Sequence, residues 1–251
     1  MAATIPLQEA DLEFDHGSFD SAAFTAQALK NRQNLAAVID HTLLKPDATR
    51  EQIEILCGET IRYRFACAMV NPVWASTAVG MLSGTGIPVG VVVGFPLGAS
   101  LVSTQRQEAA ALIRLGAREL DMVIPIGQLK SGNHHAVHHT VHAVAAVAHH
   151  HGVLLKVILE TALLTVAEKL RAAEIAIQAG ADFIKTSTGF STSGANPTDV
   201  ALLRGVAGAR CGVKAAGGIR TLADVKSLLE AGANRIGASA SVAILQELGA
   251  E

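Results

Sequence analysis

Residues 154–188, "LLKVILETALLTVAEKLRAAEIAIQAGADFIKTST", decide how this chain folds. The stretch opens and closes on short apolar runs, "LLKVILE" (154–160) and "FIKTST" (183–188). Between them "TVAEKLRAAEIAIQAGA" repeats apolar residues at helical spacing and ends near a glycine, as a helix C-terminus does. A strand, a helix and a second strand in this order require parallel pairing with a helical crossover. The same rhythm extends in both directions. Further strand-like runs are "AAVID" (36–40), "FACAMVN" (65–71), "VGVVVGF" (89–95), "ELDMVIP" (119–125), "GVKAAGG" (212–218) and "RIGAS" (235–239). Helical segments such as "STQRQEAAALIRLGA" and "TLADVKSLLEAGA" follow them. Eight repeats in about 215 residues predict a (β/α)8 TIM barrel, with an open doubly wound sheet as the rival α/β fold. No Pro/Gly/Ser-rich linker divides the chain, so residues 35–251 are expected to form one barrel domain. Residues 1–34 form an N-terminal extension, in which "SFDSAAFTAQALK" predicts a capping helix.

Alternation along each strand sorts its residues into two faces. In "ELDMVIP", Glu119, Asp121 and Val123 share one face, and Leu120, Met122 and Ile124 the other. In "LLKVILE", Lys156, Ile158 and Glu160 oppose Leu155, Val157 and Leu159. In "FIKTST", Phe183, Lys185 and Ser187 oppose Ile184, Thr186 and Thr188, and Lys214 opposes Val213 and Ala215. The apolar set packs against helices, so the charged set points inward. Asp40, Asp121, Lys156, Glu160, Lys185 and Lys214 are therefore expected to converge inside the barrel. Charges at the C-terminal ends of barrel strands usually mark a site, although a structural ion-pair network produces the same pattern.

Composition removes several classes. Half of the residues are apolar and 17% are charged, which suits a large core rather than disorder. The formal net charge is −2, no basic run occurs and aromatics are 4%, so nucleic acid is not expected as a partner. No apolar run reaches the roughly 18 residues of a membrane span, and "MAATIPLQEADLEFD" lacks a signal-peptide core. Cys57, Cys67 and Cys211 have no metal-ligand spacing and an odd count, which fits buried thiols in a reducing, cytoplasmic setting.

Three lysines beside carboxylates suggest amine chemistry. A lysine with its ordinary pKa is only about 0.04% neutral at pH 7. Desolvation or a second cation lowers that pKa and makes a nucleophile that adds to carbonyls. Lys185 and Lys214 lie on adjacent strands with matching parity, so each depresses the other's pKa. Asp121, across the interior, is placed to shuttle a proton. Gly217 and Gly218 close the seventh strand, and Gly237, Ala238 and Ser239 close the eighth, just before a helix. Barrels often bind phosphate there, on backbone N–H groups that glycine leaves accessible. A lysine pair with a phosphate site suggests a phosphorylated carbonyl substrate.

The stretches "IDHTLLKPDAT", "VNP", "VVVGFPLG", "ELDMVIPIGQLKSG", "LLKVILET", "IKTSTGF", "VKAAGGIRT" and "RIGAS" run in order over about residues 38–241. In these the chain resembles the deoxyribose-phosphate aldolases, class I enzymes on a (β/α)8 barrel. The resemblance implies reversible cleavage of 2-deoxy-D-ribose 5-phosphate to D-glyceraldehyde 3-phosphate and acetaldehyde. It places the Schiff base on Lys185, the second lysine at Lys214 and the proton-relay carboxylate at Asp121. It maps phosphate binding onto Gly217, Gly218, Gly237 and Ser239, substrate contacts onto Asp40 and Thr188, and electrostatic support onto Lys156. The implied partners are a small phosphorylated aldehyde and acetaldehyde, with no metal, organic cofactor, nucleic acid or membrane. A homodimer is left open by the sequence.

The chain departs from the family pattern at Met69, where many members have cysteine, at Ala240, where serine is common, and at Phe190, where some have lysine. Two other readings of the site are another lysine-dependent aldolase or transaldolase, and a non-catalytic sugar-phosphate-binding barrel. The lysine pair favours the enzyme, because a sensor does not need it. Eight of the ten histidines fall in "SGNHHAVHHTVHAVAAVAHHHGV". His135, His138 and His142, or His134 and His138, have helical spacing that suits a divalent metal and a metal-dependent aldolase. The competing expectation is an outer helix whose Val137, Val141, Val144 and Val147 face the barrel while the histidines face water.

Overall fold

Runs of Val, Ile and Leu flanked by turns become short strands, and parallel order closes them on themselves. The computed structural model describes residues 18–248. Its strands are β1 (Ile39–Leu43), β2 (Cys67–Val70), β3 (Val89–Val93), β4 (Glu119–Val123), β5 (Leu154–Ile158), β6 (Phe183–Lys185), β7 (Gly212–Ala216) and β8 (Arg235–Ala238). They pair in parallel in chain order, and β8 returns to β1 to complete a closed (β/α)8 barrel. Closure leaves no edge strand.

Two short helices, α1 (Ser21–Ala28) and α2 (Arg32–Ala36), precede β1. The crossovers carry α3 (Arg50–Tyr63), α4 (Ala75–Leu82), α5 (Val102–Leu115), α6 (Ile126–Lys130), α7 (His134–His150), α8 (Val166–Gln178), α9 (Pro197–Ala207), α10 (Leu222–Glu230) and α11 (Ser241–Glu247). Capping explains where several begin. Thr49, Thr165 and Thr221 each accept a bond from the backbone three residues on, and Gln52, Glu168 and Asp224 bond back.

The strand faces separate as alternation predicts. Leu120, Met122, Leu155, Val157, Ile184, Val213, Ala215 and Ile236 are buried between sheet and helices. Inside the barrel, Leu44, Cys67, Met69 and Val92 form a second, smaller apolar cluster against Phe95. The interior thus has an apolar wall of Leu44, Phe95 and inward residues of β2 and β3, and a charged wall of Asp40 with inward residues of β4 to β8. The loop after β3 reaches the end of β4 through Gly98, whose φ is +63° and whose added Cβ would lie 1.9 Å from the Ile124 carbonyl oxygen. Only glycine fits there.

Strand ends differ from the apolar runs throughout, most at β1 and β6. The run "AAVID" starts inside α2, and β1 begins only at Ile39. Asn31 caps that helix through its side chain, so the apolar run spans a helix end and a strand start, which periodicity alone does not separate. The run "FIKTST" ends as a strand at Lys185. Beyond it the Thr186 N–H still donates to the Lys214 carbonyl at 3.1 Å, and its hydroxyl donates to the Ala216 carbonyl and accepts from the Ala216 N–H, each at 3.1 Å.

The stretch that predicts a capping helix contains α1, which packs on α10, while α2 packs on α11. The Arg204 guanidinium lies 4.1 Å from the centroid of the Phe19 ring and bonds carbonyls of Gly208, Cys211 and Gly232 in the turns entering β7 and β8. This layer therefore sits at the N-terminal ends of those strands, opposite the lysine-bearing mouth. Residues 1–17 of the extension, including the stretch read for a signal peptide, lie outside the described residues.

The histidine-rich α7 lies outside the barrel, packed on α5, α8 and β5. Val137, Val141 and Val144 are buried, Val147 is half-buried, and every histidine of the run is exposed except His138, which is half-buried. The His135–His139 and His138–His142 rings stack in pairs along its surface.

Leu120→Ala tests the division of faces. It removes a fully buried outward side chain and is expected to cost about 2–5 kcal/mol, read as a lower urea midpoint. Because Leu120 faces away from the charged interior, kcat of the folded variant should stay close to that of the unaltered chain.

Candidate active site

Strand parity delivers charged side chains to one point. Asp121 of β4 is fully buried and holds three ammonium groups. Lys156 donates to Oδ1 at 2.8 Å, and Lys185 and Lys214 donate to Oδ2 at 2.8 and 2.7 Å. The register places Lys156 directly across from Asp121 and Lys185 directly across from Lys214. Lys185 is the last residue of its strand and is 2% exposed, against 0% for the other two lysines.

A second layer of pairs surrounds this centre. Lys214 also donates to Asp40 of β1. Lys156 lies 2.5 Å from a Glu119 oxygen and 3.6 Å from Asp40. Arg235 of β8 donates through Nε to Asp40 at 2.5 Å and through Nη2 to both Glu119 oxygens at 2.8 and 2.9 Å. The cluster contains three carboxylates and four cations, so full ionisation leaves one excess positive charge. Lys156 has three carboxylate neighbours, and Lys214 and Arg235 have two each. Lys185 has one. The excess proton therefore leaves most readily from Lys185.

The electrostatics agree. Burial pulls the Lys185 amine down to about 8; Asp121 opposes this, and the charges of Lys214 and Lys156 assist it. Lys156 goes the other way: burial disfavours its charge, but Asp121, Asp40 and Glu119 outweigh burial and hold it well above the ordinary lysine value. Burial would raise Asp121 and Asp40, yet their cationic neighbours keep both carboxyls well below the usual range. One fold thus makes one lysine labile and another permanently charged.

The mouth adds polar groups of a different kind. Glu160 follows β5 with a positive φ of 59°, which turns its side chain out of the ion cluster. It does not join the lysines, contrary to the parity argument, because the strand ends at Ile158. Instead its carboxylate accepts from the Thr188 hydroxyl and, at 3.2 Å, from the Thr188 N–H. The Thr188 hydroxyl in turn accepts from the Phe190 N–H at 3.0 Å. Phe190 stands half-exposed, edge-on to Phe95 with ring centroids 5.4 Å apart. The Ser187 hydroxyl is buried beside Gly217 without a protein partner.

Of the residues singled out for phosphate, Gly217 and Gly218 both have positive φ, +93° and +77°, and Gly218 opens onto free space. Ser239 is exposed just beyond β8. Gly237 lies within β8, where an added Cβ would sit 3.0 Å from Lys214 Cε. That glycine makes room for the lysine. Asp40, Asp121, Lys156, Lys185 and Lys214 come together, while Thr188, Gly217, Gly218 and Ser239 ring the mouth above them. Sequence reasoning passed over Glu119 and Arg235 as site residues. The signal was present, since Glu119 shares the parity of Asp121 and Arg235 that of Gly237.

Asp40, Cys67 and Glu119 bring three potential metal-ligand atoms within 4.8 Å of one another. Their chemistry does not suit a metal. Both carboxylates are already paired with lysine or arginine, and burial followed by those carboxylates pushes the Cys67 thiol well above its usual range. The histidines of α7 are on the outer surface, away from the lysines.

Comparison with known proteins places this arrangement. Residues 34–247 match the family model described as DeoC/LacD family aldolase. A deoxyribose-phosphate aldolase from Geobacillus sp. (strain WCH70) is 50% identical over 213 residues, covering 85% of this chain and 95% of the relative. One from Listeria monocytogenes is 51% identical over 211 residues, covering 84% and 94%. The tetrameric deoxyribose phosphate aldolase of Aeropyrum pernix superposes with a TM-score of 0.85 at 35% identity, covering 92% and 97%. With its closed barrel and buried lysine cluster, the chain belongs to the DeoC/LacD family of aldolases.

Proposed function

We propose that Lys185 supplies the neutral amine that forms the imine, with Asp121 and Lys214 moving protons beside it. The chain is a class I deoxyribose-phosphate aldolase, which cleaves 2-deoxy-D-ribose 5-phosphate reversibly to D-glyceraldehyde 3-phosphate and acetaldehyde. The observation that carries the residue assignment is the unequal pairing: of the three buried lysines, Lys185 alone has a single carboxylate neighbour.

The steps follow from that geometry. The Lys185 amine adds to the aldehyde carbon of the open-chain sugar, and loss of water leaves an iminium. A proton leaves the C3 hydroxyl, the C2–C3 bond breaks, and its electron pair flows into the iminium to give an enamine. The fragment released is glyceraldehyde 3-phosphate. Protonation of the enamine carbon and addition of water return acetaldehyde and the free amine. Asp121 Oδ2 touches both Lys185 and Lys214, so a proton passes among these three groups without entering bulk water. Lys156 keeps its charge and holds Asp121 ionised between transfers, ready to accept a proton.

We assign the phosphate to the rim of β7 and β8, on the backbone at Gly217 and Gly218 and on Ser239; Gly237 acts by admitting Lys214. The left-handed backbone at the glycine pair supports this, since such turns aim N–H groups at an anion. We assign Asp40 to the orientation of Lys214, and Thr188 with Glu160 to the substrate hydroxyls. The apolar wall of Leu44, Met69, Val92 and Phe95 suits the methyl end of acetaldehyde. Among the described residues no helix is long and apolar enough to cross a membrane. Cytoplasmic residence is our reading, supported by three buried free thiols.

Treatment with acetaldehyde and borohydride should leave an ethyl group on Lys185, located by mass spectrometry. Lys185→Met should abolish both labelling and cleavage, and a chelator should change neither in the unaltered chain. Label on another lysine, or cleavage by the Met variant, would overturn the assignment.

The pH dependence has a definite sign. A lysine with its pKa at about 8 is protonated below that value and cannot attack. The ratio kcat/KM should rise about tenfold per pH unit in the acidic range and level off above the midpoint. A profile that is flat from acid to neutral pH would contradict this. Asp121→Asn should lower kcat by about 10²–10⁴-fold, since it removes the shared proton acceptor.

A further inference from the structure

Arg235 has no part in the chemistry above, yet its guanidinium is held inside the barrel. It bridges Asp40, through Nε at 2.5 Å, and Glu119, through Nη2 at 2.8 and 2.9 Å. Neither Arg235 nor Glu119 pairs with Lys185. Glu119 reaches it through two intermediates and Arg235 through three. One path runs from Arg235 to Glu119, Lys156 and Asp121, and the other from Arg235 to Asp40, Lys214 and Asp121. Both end on the carboxylate that Lys185 touches.

We propose that Arg235 and Glu119 are positioning residues that set the charge count of the buried cluster and so govern how readily Lys185 releases its proton. The inference rests on the reading of Lys185 as the imine-forming amine. The titratable groups facing the cluster are Asp40 from β1, Cys67 from β2, Glu119 and Asp121 from β4, Lys156 from β5, Lys185 from β6, Lys214 from β7 and Arg235 from β8. The strand β3 presents Gly90 and Val92 there, opposite Glu119 and Asp121, and neither titrates. Cys67 is a neutral thiol, because burial and then the Glu119 and Asp40 carboxylates oppose its ionisation.

Charge counting then gives the direction of each change. With three carboxylates and four cations, a neutral Lys185 makes the unaltered cluster neutral. Removing the guanidinium makes the cluster neutral while Lys185 is still protonated, so the proton is held. Removing the Glu119 charge adds to the positive excess, so the proton is lost more easily. Removing both restores the original balance. Arginine suits the role because its guanidinium stays charged at any working pH and spans two carboxylates in one plane.

The test is the pH dependence of kcat/KM for 2-deoxy-D-ribose 5-phosphate cleavage in the full chain, with imine trapping by acetaldehyde and borohydride in parallel. Arg235→Met should move the midpoint to higher pH and lower neutral-pH activity about tenfold for each pH unit moved. Glu119→Gln should move it to lower pH. Arg235→Met combined with Glu119→Gln should return it toward the original position, although the two losses of stability accumulate. Arg235→Lys should keep the midpoint while weakening the paired grip on Glu119. A purely structural role lowers folded yield or kcat without moving midpoints in opposite directions. Midpoints that do not move in Glu119→Gln, or that move the same way in both single variants, would overturn the inference. If Arg235→Met does not fold, the Glu119→Gln result decides alone. Absence of trapped Lys185 in the unaltered chain would instead remove the reading on which the inference stands, and the inference with it.

Discussion

Asp121 is the constraint on which the site depends. Its two oxygens receive three ammonium groups inside a barrel that excludes water. Such a cluster is costly to bury, and an unmatched charge within it costs more than a matched one. The barrel contains one cation too many for its carboxylates. That imbalance is not a defect of packing, because a neutral Lys185 relieves it. On the proposed assignment of Lys185, charge balance and nucleophile activation are the same physical event.

The rest of the fold serves that event. Closure into eight parallel strands brings five of the charged residues from distant parts of the sequence to a common level, and the register fixes which of them face one another. The outward faces are apolar apart from His41, which pairs with Glu59 of α3, and they seal the sheet under its helices. Leu44, Phe95 and apolar residues of β2 and β3 line the other side of the interior. Small residues matter where side chains are crowded. Gly237 lets the Lys214 chain pass, and Gly98 lets the loop after β3 reach the end of β4.

Much of this was legible in the sequence, for reasons that can be named. The eight-fold rhythm gave the barrel, and period-two alternation placed Asp40, Asp121, Lys156, Lys185 and Lys214 inside. Parity failed at Glu160, because the strand had already ended and a left-handed residue turned the side chain toward Thr188. It was underused at Glu119 and Arg235, which sit deeper than the strand ends where catalytic groups are sought. The start of β1 was misplaced because the apolar run continues across the end of a helix. The unequal pairing of the lysines lies beyond any sequence pattern, since it depends on which carboxylate each long side chain reaches in three dimensions.

The central claim is that Lys185 is the labile cation of the cluster while Lys156 stays charged. NMR titration of isotope-labelled lysine side chains, assigned with Lys185→Met and Lys156→Met, reads this without any turnover. The account predicts a Lys185 midpoint at about 8, with Lys156 still protonated above its ordinary range. A Lys185 amine that titrates at the ordinary lysine value of 10.5, or a Lys156 that loses its proton first, would contradict it.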